Sequence, residues 1–116
     1  MQIAHQLRLY YNTKSPQIKK RTLLVCENSM GFKFKKADFT SNYPFKMEIC
    51  SREKVEKAIA DKSTEYYYLQ PGFTLNHSVF VIDPSDGEVL FNGFSIKGMS
   101  LTKDDVRDLV DAINNK

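Results

Sequence analysis

The chain has 116 residues, of which 41% are hydrophobic and 27% are charged. This size fits a single domain with one core (1–116), and the near-average composition excludes disordered and fibrous classes. No apolar run approaches the roughly 18 residues of a membrane-spanning helix. Residues 1–12 lack the basic start, apolar centre and cleavage site of a signal peptide, so we expect a cytoplasmic protein unless a leader has been removed.

The formal net charge of +3 is unevenly distributed along the chain. Residues 1–60 carry 12 Lys and Arg against 5 Asp and Glu, whereas residues 61–116 carry 5 against 9. A run of charge usually marks a solvated face, and we favour that interpretation here. The alternative is that the basic half forms a surface for an acidic partner.

The first 26 residues contain two predicted strands separated by a loop. Residues 6–11 alternate apolar and polar side chains, which is typical of a half-buried strand at a sheet edge. Residues 12–21 are polar and are interrupted by Pro16, so we expect a loop. Residues 22–26 (TLLVC) form a short apolar run, which indicates a strand covered on both faces. Residues 27–45 have no clean period from which the bounds of an element follow.

A strand, a helix and another strand follow. Residues 45–50 predict a strand that leads directly into a helix, because the hydroxyl of Ser51 suits an N-cap. Residues 65–70 predict the next strand, which ends at Pro71 and Gly72. The helix between these strands has a narrow inward stripe of apolar residues, namely Val55, Ala58 and Ile59.

The acidic run 83–88 is either a cation site or a turn. It follows residues 78–82 (SVFVI), which are apolar on both faces and predict a strand near the centre of a sheet. Pro84 presets the first central position of a turn, and Gly87 can adopt a positive φ. A calcium loop of the EF-hand type spreads its ligands over about 12 positions, but here the next apolar strand begins at once. We therefore predict a hairpin.

The last predicted element is an amphipathic helix that begins after Thr102. Asp104 and Asp105 lie in its first turn, where the helix dipole favours negative charge. Its core-facing stripe consists of Val106, Leu109, Val110 and Ile113. The elements as a whole predict an α/β or α+β domain with a central mixed sheet of about five strands and two main helices.

Residues 77–114 resemble the C-terminal half of thioredoxin-like domains. In both, a buried strand ends in Asp, a Gly-containing turn leads to an antiparallel strand, and a link leads to a final amphipathic helix. The resemblance implies a thioredoxin-like fold and says little about function. It departs from the redox members of that family, because "ENSMGFKF" after the first strand has no C-x-x-C and His77 stands where their cis-proline would fall. We therefore do not expect their mechanism of thiol–disulfide exchange.

Cys50 is the one candidate catalytic residue. It directly precedes a predicted helix, and a helix N-terminus can lower the pKa of a thiol. The alternative, which we favour, is a buried and inert cysteine, since the sequence places no base beside it. Cys26 also ends a strand, so the two thiols are candidates to be neighbours. The histidines, His5 and His77, have no metal-ligand spacing, and we expect neither a metal nor a cofactor.

The basic segment, residues 19–36, is the candidate binding site. Within it, "GFKFKK" interleaves two Phe with three Lys, a pattern that can stack bases and neutralise phosphates. A strand with Phe inward and Lys outward explains the same pattern, and we favour it. The candidate binding residues are Lys19, Lys20, Arg21, Lys33, Lys35 and Lys36.

The sequence favours a non-catalytic interaction domain whose partner is a protein. A core with clear periodicity stands beside an absence of catalytic spacings. The tyrosines of two strands mostly reflect strand propensity and half-burial, and the alternative is that those on the solvent side line a protein-binding patch. One alternative is a thiol-dependent enzyme or redox sensor that uses Cys50. The second is a weak binder of nucleic acid or of an anionic surface through the basic segment.

Overall fold

The computed structural model describes residues 14–26, 33–34, 36–71, 78–94, 100–101 and 103–114. The predicted strand 6–11 and Thr102, the predicted N-cap of the last helix, lie outside these residues. The described helices are a 3-10 helix Ser15–Lys20, α1 Lys36–Thr40, α2 Arg52–Ala60 and α3 Lys103–Ile113. The strands are β1 Thr22–Cys26, β2 Lys33–Phe34, β3 Met47–Cys50, β4 Tyr66–Pro71, β5 Ser78–Ile82, β6 Val89–Phe94 and β7 Ser100–Leu101.

Five of the described strands form a mixed sheet in the order β3-β1-β4-β5-β6. β1 pairs in parallel with β3 and β4, while β5 pairs antiparallel with β4 and β6. This arrangement confirms the predicted α/β class with a five-stranded mixed sheet. Because β1, β3 and β4 are parallel, their C-terminal ends meet at one margin of the sheet, here called the carboxyl edge. β2 and β7 form a separate two-stranded parallel ladder.

The larger core lies on the sheet face that α1, α3 and the 3-10 helix cover. Val25, Val81 and Phe91 line the sheet side of this core and are almost completely buried. The predicted stripe of α3 is confirmed, since Val110 packs against the core in a partly buried position and the other three side chains are fully buried. Those three are Val106, Leu109 and Ile113.

A smaller core lies on the opposite face, beneath α2. It contains Leu24, Cys26, Cys50, Val55, Ala58 and Tyr68. Two details of the predicted helix are wrong. Ile59 is 43% exposed, because it lines an open pocket between α2 and the sheet residues Leu69 and Gln70. Ser51 occupies the N-cap position in an extended conformation, but its side chain makes no capping hydrogen bond.

The predicted loop 12–21 contains a 3-10 helix over Ser15–Lys20. Pro16 lies in its first turn, where the fixed φ of proline suits a helix start and its missing N–H costs nothing. Ile18 is fully buried in the larger core, and the buried Ser15 Oγ donates a 2.7 Å hydrogen bond to the Leu90 carbonyl. The loop prediction was wrong here because the segment docks on β6.

The acidic run 83–88 is the turn of a hairpin, as predicted. β5 and β6 pair antiparallel on either side of it. Within the turn, the Asp83 amide donates to the Glu88 carbonyl at 2.8 Å, and the Gly87 amide donates to the Asp83 carbonyl at 2.8 Å. Gly87 has φ +77°, a region that suits a residue without Cβ.

Candidate functional site

Cys26 and Cys50 lie side by side at the carboxyl edge. They end β1 and β3, and the parallel register places them directly opposite each other. Residues opposite each other in a ladder direct their side chains to the same face, here the face beneath α2. Both cysteines are buried and neither is in a disulfide. The fold therefore creates a pair of neighbouring thiols from residues that are distant in sequence.

The environment of Cys50 opposes ionisation of its thiol. Burial raises the pKa of Cys50 to about 11, and the neighbouring Cys26 and Glu48 contribute in the same direction. The Lys54 ammonium acts in the opposite direction and offsets only part of the effect. A nucleophilic cysteine needs a lowered pKa and access to substrate. The described surroundings of Cys50 supply neither.

A shallow pocket of about 60 Å³ opens beside Cys26. Its lining residues are Cys26, Leu69 and Gln70 from the sheet and Arg52, Val55, Glu56 and Ile59 from α2. Arg52 Nε donates to Glu56 Oε1 at 2.9 Å on its rim. Organic ligands usually occupy pockets of roughly 300–1,000 Å³, so this one admits water or the tip of a small reagent.

A wider depression of about 450 Å³ lies at the C-terminal end of α2. Its rim carries charges of both signs, including Lys57, Lys62 and Glu65. Lys54 also lines it, but the Lys54 ammonium donates to the Glu48 carboxylate and lies 5.2 Å from the centre of the Tyr66 ring. Charges that offset each other give little net attraction for an ionic ligand.

Among the described residues, burial on the sheet face beneath α2 falls from β1 towards β6. Leu24, Tyr68, Ile82 and Val89 form one row across β1, β4, β5 and β6. Leu24 is completely buried, Tyr68 is 8% exposed and Val89 is 43% exposed, with Ile82 half-buried between them. Phe80, on the same face of β5, is also half-buried. We call Phe80, Ile82 and Val89, together with Ile59 of α2, which lines a pocket with Gln70 of β4, the open sheet face.

The candidate residues of the basic segment do not share one environment. Lys19 and Lys20 end the 3-10 helix and are exposed, and exposed Lys36 begins α1. Arg21 is mostly buried and contacts two residues of the protein. Its Nη1 lies 2.9 Å from Asp83 Oδ1, and its guanidinium lies 4.4 Å from the centre of the Tyr67 ring. Arg21 is thus held within the molecule. The side chains of Lys33 and Lys35 lie outside the described residues.

Asp83 is the ion-pair partner of Arg21, and the sequence pattern did not predict this pair. Burial alone would raise its pKa, but hydrogen bonds from the Ser85 hydroxyl and amide and from Arg21 more than offset this, so the pKa of Asp83 lies below its ordinary value. The Ser85 amide donates to Asp83 Oδ1 at 2.9 Å and the Ser85 hydroxyl at 2.6 Å. Its carboxylate is therefore satisfied by the protein itself, which agrees with the turn interpretation.

No group of three or more His, Cys, Asp or Glu with metal-binding geometry occurs in the described part of the chain. Among the described helices, none has the length and apolar character to cross a bilayer. Comparisons with protein-family models, with curated proteins and with solved structures found no match to this chain.

Cys50 is expected to react slowly with iodoacetamide in the native protein at neutral pH. An increase of its pKa from 9.0 to about 11 lowers the thiolate fraction about 100-fold, and burial slows access further. The measurement uses a Cys26→Ser variant, so that Cys50 is the one thiol, and compares its labelling rate with that in guanidinium chloride. A native rate equal to the unfolded rate would identify Cys50 as a reactive thiol.

Proposed function

We propose that this chain is a non-catalytic protein-interaction module on a thioredoxin-like scaffold, and that its partner binds the open sheet face. The order of β5, the Gly87 turn, β6 and α3 supports the thioredoxin-like part of the proposal. The location of the partner rests on one observation, namely the loss of burial along the row from Leu24 to Val89.

The size of the open sheet face fits one element of secondary structure. Neighbouring strands are about 4.8 Å apart, so β4 to β6 span about 10 Å. This is close to the roughly 10–12 Å diameter of an α-helix with its side chains. The opposite side of the same strands is fully buried, with Val81 and Phe91 in the larger core. A partner helix with an apolar stripe would complete the face that α2 covers in part.

The residues of the open sheet face have the chemistry of an interface centre. Phe80 and Ile82 are apolar and half-buried. Exposed Val89 is the register partner of Ile82, and exposed Ile59 lines the same pocket as Gln70, the register partner of Phe80. Isolated exposed apolar residues are ordinary, whereas contiguous ones mark binding surfaces. Charged residues are depleted at the centre of interfaces, and these four positions carry none.

The test introduces one negative charge into the open sheet face. Val89→Asp is expected to reduce partner capture at least about tenfold, because an uncompensated charge in an apolar interface costs more than about 1.4 kcal/mol. Proteins retained by immobilised wild-type and variant chains are quantified by mass spectrometry. Gln17→Asp is the matched control, since Gln17 is exposed on the 3-10 helix of the opposite layer.

The proposal is supported only by a protein that wild type and Gln17→Asp retain and Val89→Asp loses. Equal capture by all three chains would refute the assigned surface. A protein that Lys19→Glu fails to retain and Val89→Asp still retains would assign the interaction to the basic segment. A disulfide reductase turnover that Cys50→Ser abolishes would replace the non-catalytic function by the thiol-dependent one.

A further inference from the structure

We propose that Cys26 and Cys50 form a reversible disulfide that joins β3 to β1 at the carboxyl edge. The two residues are register partners on adjacent parallel strands. Both thiols are free and lie in the same buried cluster under α2. This inference is independent of the open sheet face.

The strand geometry brings the pair within reach of a disulfide. Adjacent strands lie about 4.7–4.9 Å apart, and disulfides bridge Cα atoms that are about 4.4–6.8 Å apart. Side chains of an in-register parallel pair run side by side, so their Cβ atoms must approach slightly to reach the roughly 3.5–4.5 Å that a disulfide needs. A bond under such strain is more easily reduced than a relaxed structural one. The expected disulfide is therefore labile and reversible.

The surroundings favour a neutral product. Leu24, Val55, Ala58 and Tyr68 enclose the two sulfurs in the smaller core. A metal ion held by the two thiolates would need further ligands, and no group of three or more His, Cys, Asp or Glu with metal-binding geometry occurs among the described residues. A disulfide replaces two neutral thiols by one neutral bond, and the cluster accommodates it without burying a charge.

The oxidant is a low-molecular-weight disulfide such as oxidised glutathione. Cys26 lines the shallow pocket, so its thiolate attacks one glutathione sulfur, a mixed disulfide forms and one glutathione leaves. Cys50 then loses its proton to solvent, attacks the Cys26 sulfur as thiolate and releases the second glutathione; this step is slow because burial opposes its ionisation. Two protein thiols are oxidised to one disulfide, and oxidised glutathione is reduced to two thiols that carry the two protons.

The disulfide would anchor β3, which lies at one edge of the five-stranded sheet. Among the described strands, β3 has one partner, β1. A cross-link between Cys26 and Cys50 would also close the loop that contains α1. Cross-linking such a loop removes conformational freedom from the unfolded chain. Oxidation is therefore expected to raise the thermal midpoint of unfolding.

The experiment equilibrates the full chain with glutathione buffers of defined redox ratio, starting once from the reduced and once from the oxidised protein. Acid quenching, alkylation and mass spectrometry then give the fraction with the intramolecular disulfide. We expect the effective concentration of the native pair to exceed that of the chain in guanidinium chloride by about tenfold or more, which corresponds to about 30 mV.

Two variants complete the test. Cys50→Ser should stop at a mixed disulfide on Cys26, and Cys26→Ser should form no intramolecular bond. The thermal midpoint of wild type should rise on oxidation, because native-state preference for the disulfide and stabilisation by the disulfide belong to one thermodynamic cycle. An effective concentration equal to or below that of the unfolded chain, or a mixed disulfide as the final wild-type product, would overturn the proposal.

Discussion

Replacing Leu109 with aspartate is expected to unfold the domain. Leu109 is 2% exposed and lies in the larger core, on the middle turn of α3. Loss of a buried leucine side chain costs about 2–5 kcal/mol, and a carboxylate without a partner at that position adds several kcal/mol more. The sum approaches or exceeds the roughly 5–15 kcal/mol that stabilises an ordinary domain.

The measurement is thermal unfolding followed by circular dichroism, with Lys103→Asp as the matched control. Lys103 is exposed in the first turn of the same helix, where an added negative charge is favourable. The control should keep the cooperative transition of wild type, and Leu109→Asp should show none. A wild-type midpoint in Leu109→Asp would mean that α3 does not pack through this stripe.

The features that sequence predicted correctly depend on local patterns. The stripe of α3 follows from apolar residues three and four positions apart, and packing on any apolar sheet would bury it. The hairpin follows from Pro84 and Gly87, whose backbone preferences act within a few residues. Strand β1 follows from its continuous apolar run. None of these inferences requires knowledge of the strand order.

The features that sequence did not predict depend on contacts between distant segments. Arg21 and Asp83 are 62 residues apart, and each was assigned a different role: Arg21 to the basic segment, Asp83 to the turn. The sequence made Cys26 and Cys50 candidates to be neighbours, but only the parallel register of β1 and β3 places them opposite each other. Ile59 has the spacing of an inward residue, but the burial of a helix flank depends on what covers the adjoining sheet. The open sheet face was likewise not predictable before the strands were ordered.

Three polar contacts join the N-terminal part of the described chain to the hairpin. The Lys14 ammonium pairs with the Glu88 carboxylate, Ser15 bonds the Leu90 carbonyl and Arg21 pairs with Asp83. The first pair is solvent-exposed on both sides, and such pairs contribute little to stability. The Arg21–Asp83 pair is mostly buried and has additional hydrogen bonds, so it contributes more to stability than the Lys14–Glu88 pair.

Asp83→Ala is expected to lower the free energy of unfolding by about 2–3 kcal/mol at neutral pH. The substitution removes the acceptor of two hydrogen bonds from Ser85 and one from Arg21. It also leaves the mostly buried guanidinium of Arg21 without its anion, which adds a desolvation penalty. Asp86→Ala is the matched control, because Asp86 is exposed in the same turn and accepts one amide hydrogen bond. Its cost should stay near about 0.5–1 kcal/mol.

The pH dependence follows from the sign of the shift at Asp83. Its pKa in the folded state is lowered, so the carboxylate stabilises the fold above its unfolded pKa of about 3.9. That contribution is lost as the pH falls through the lower folded pKa. Urea denaturation should therefore show a difference between wild type and Asp83→Ala that is complete at neutral pH and shrinks below about pH 4. If the difference in free energy of unfolding stays constant down to the folded pKa, the stabilisation comes from side-chain packing and not from charge. A double-mutant cycle of Asp83→Ala with Arg21→Met would then give no coupling energy.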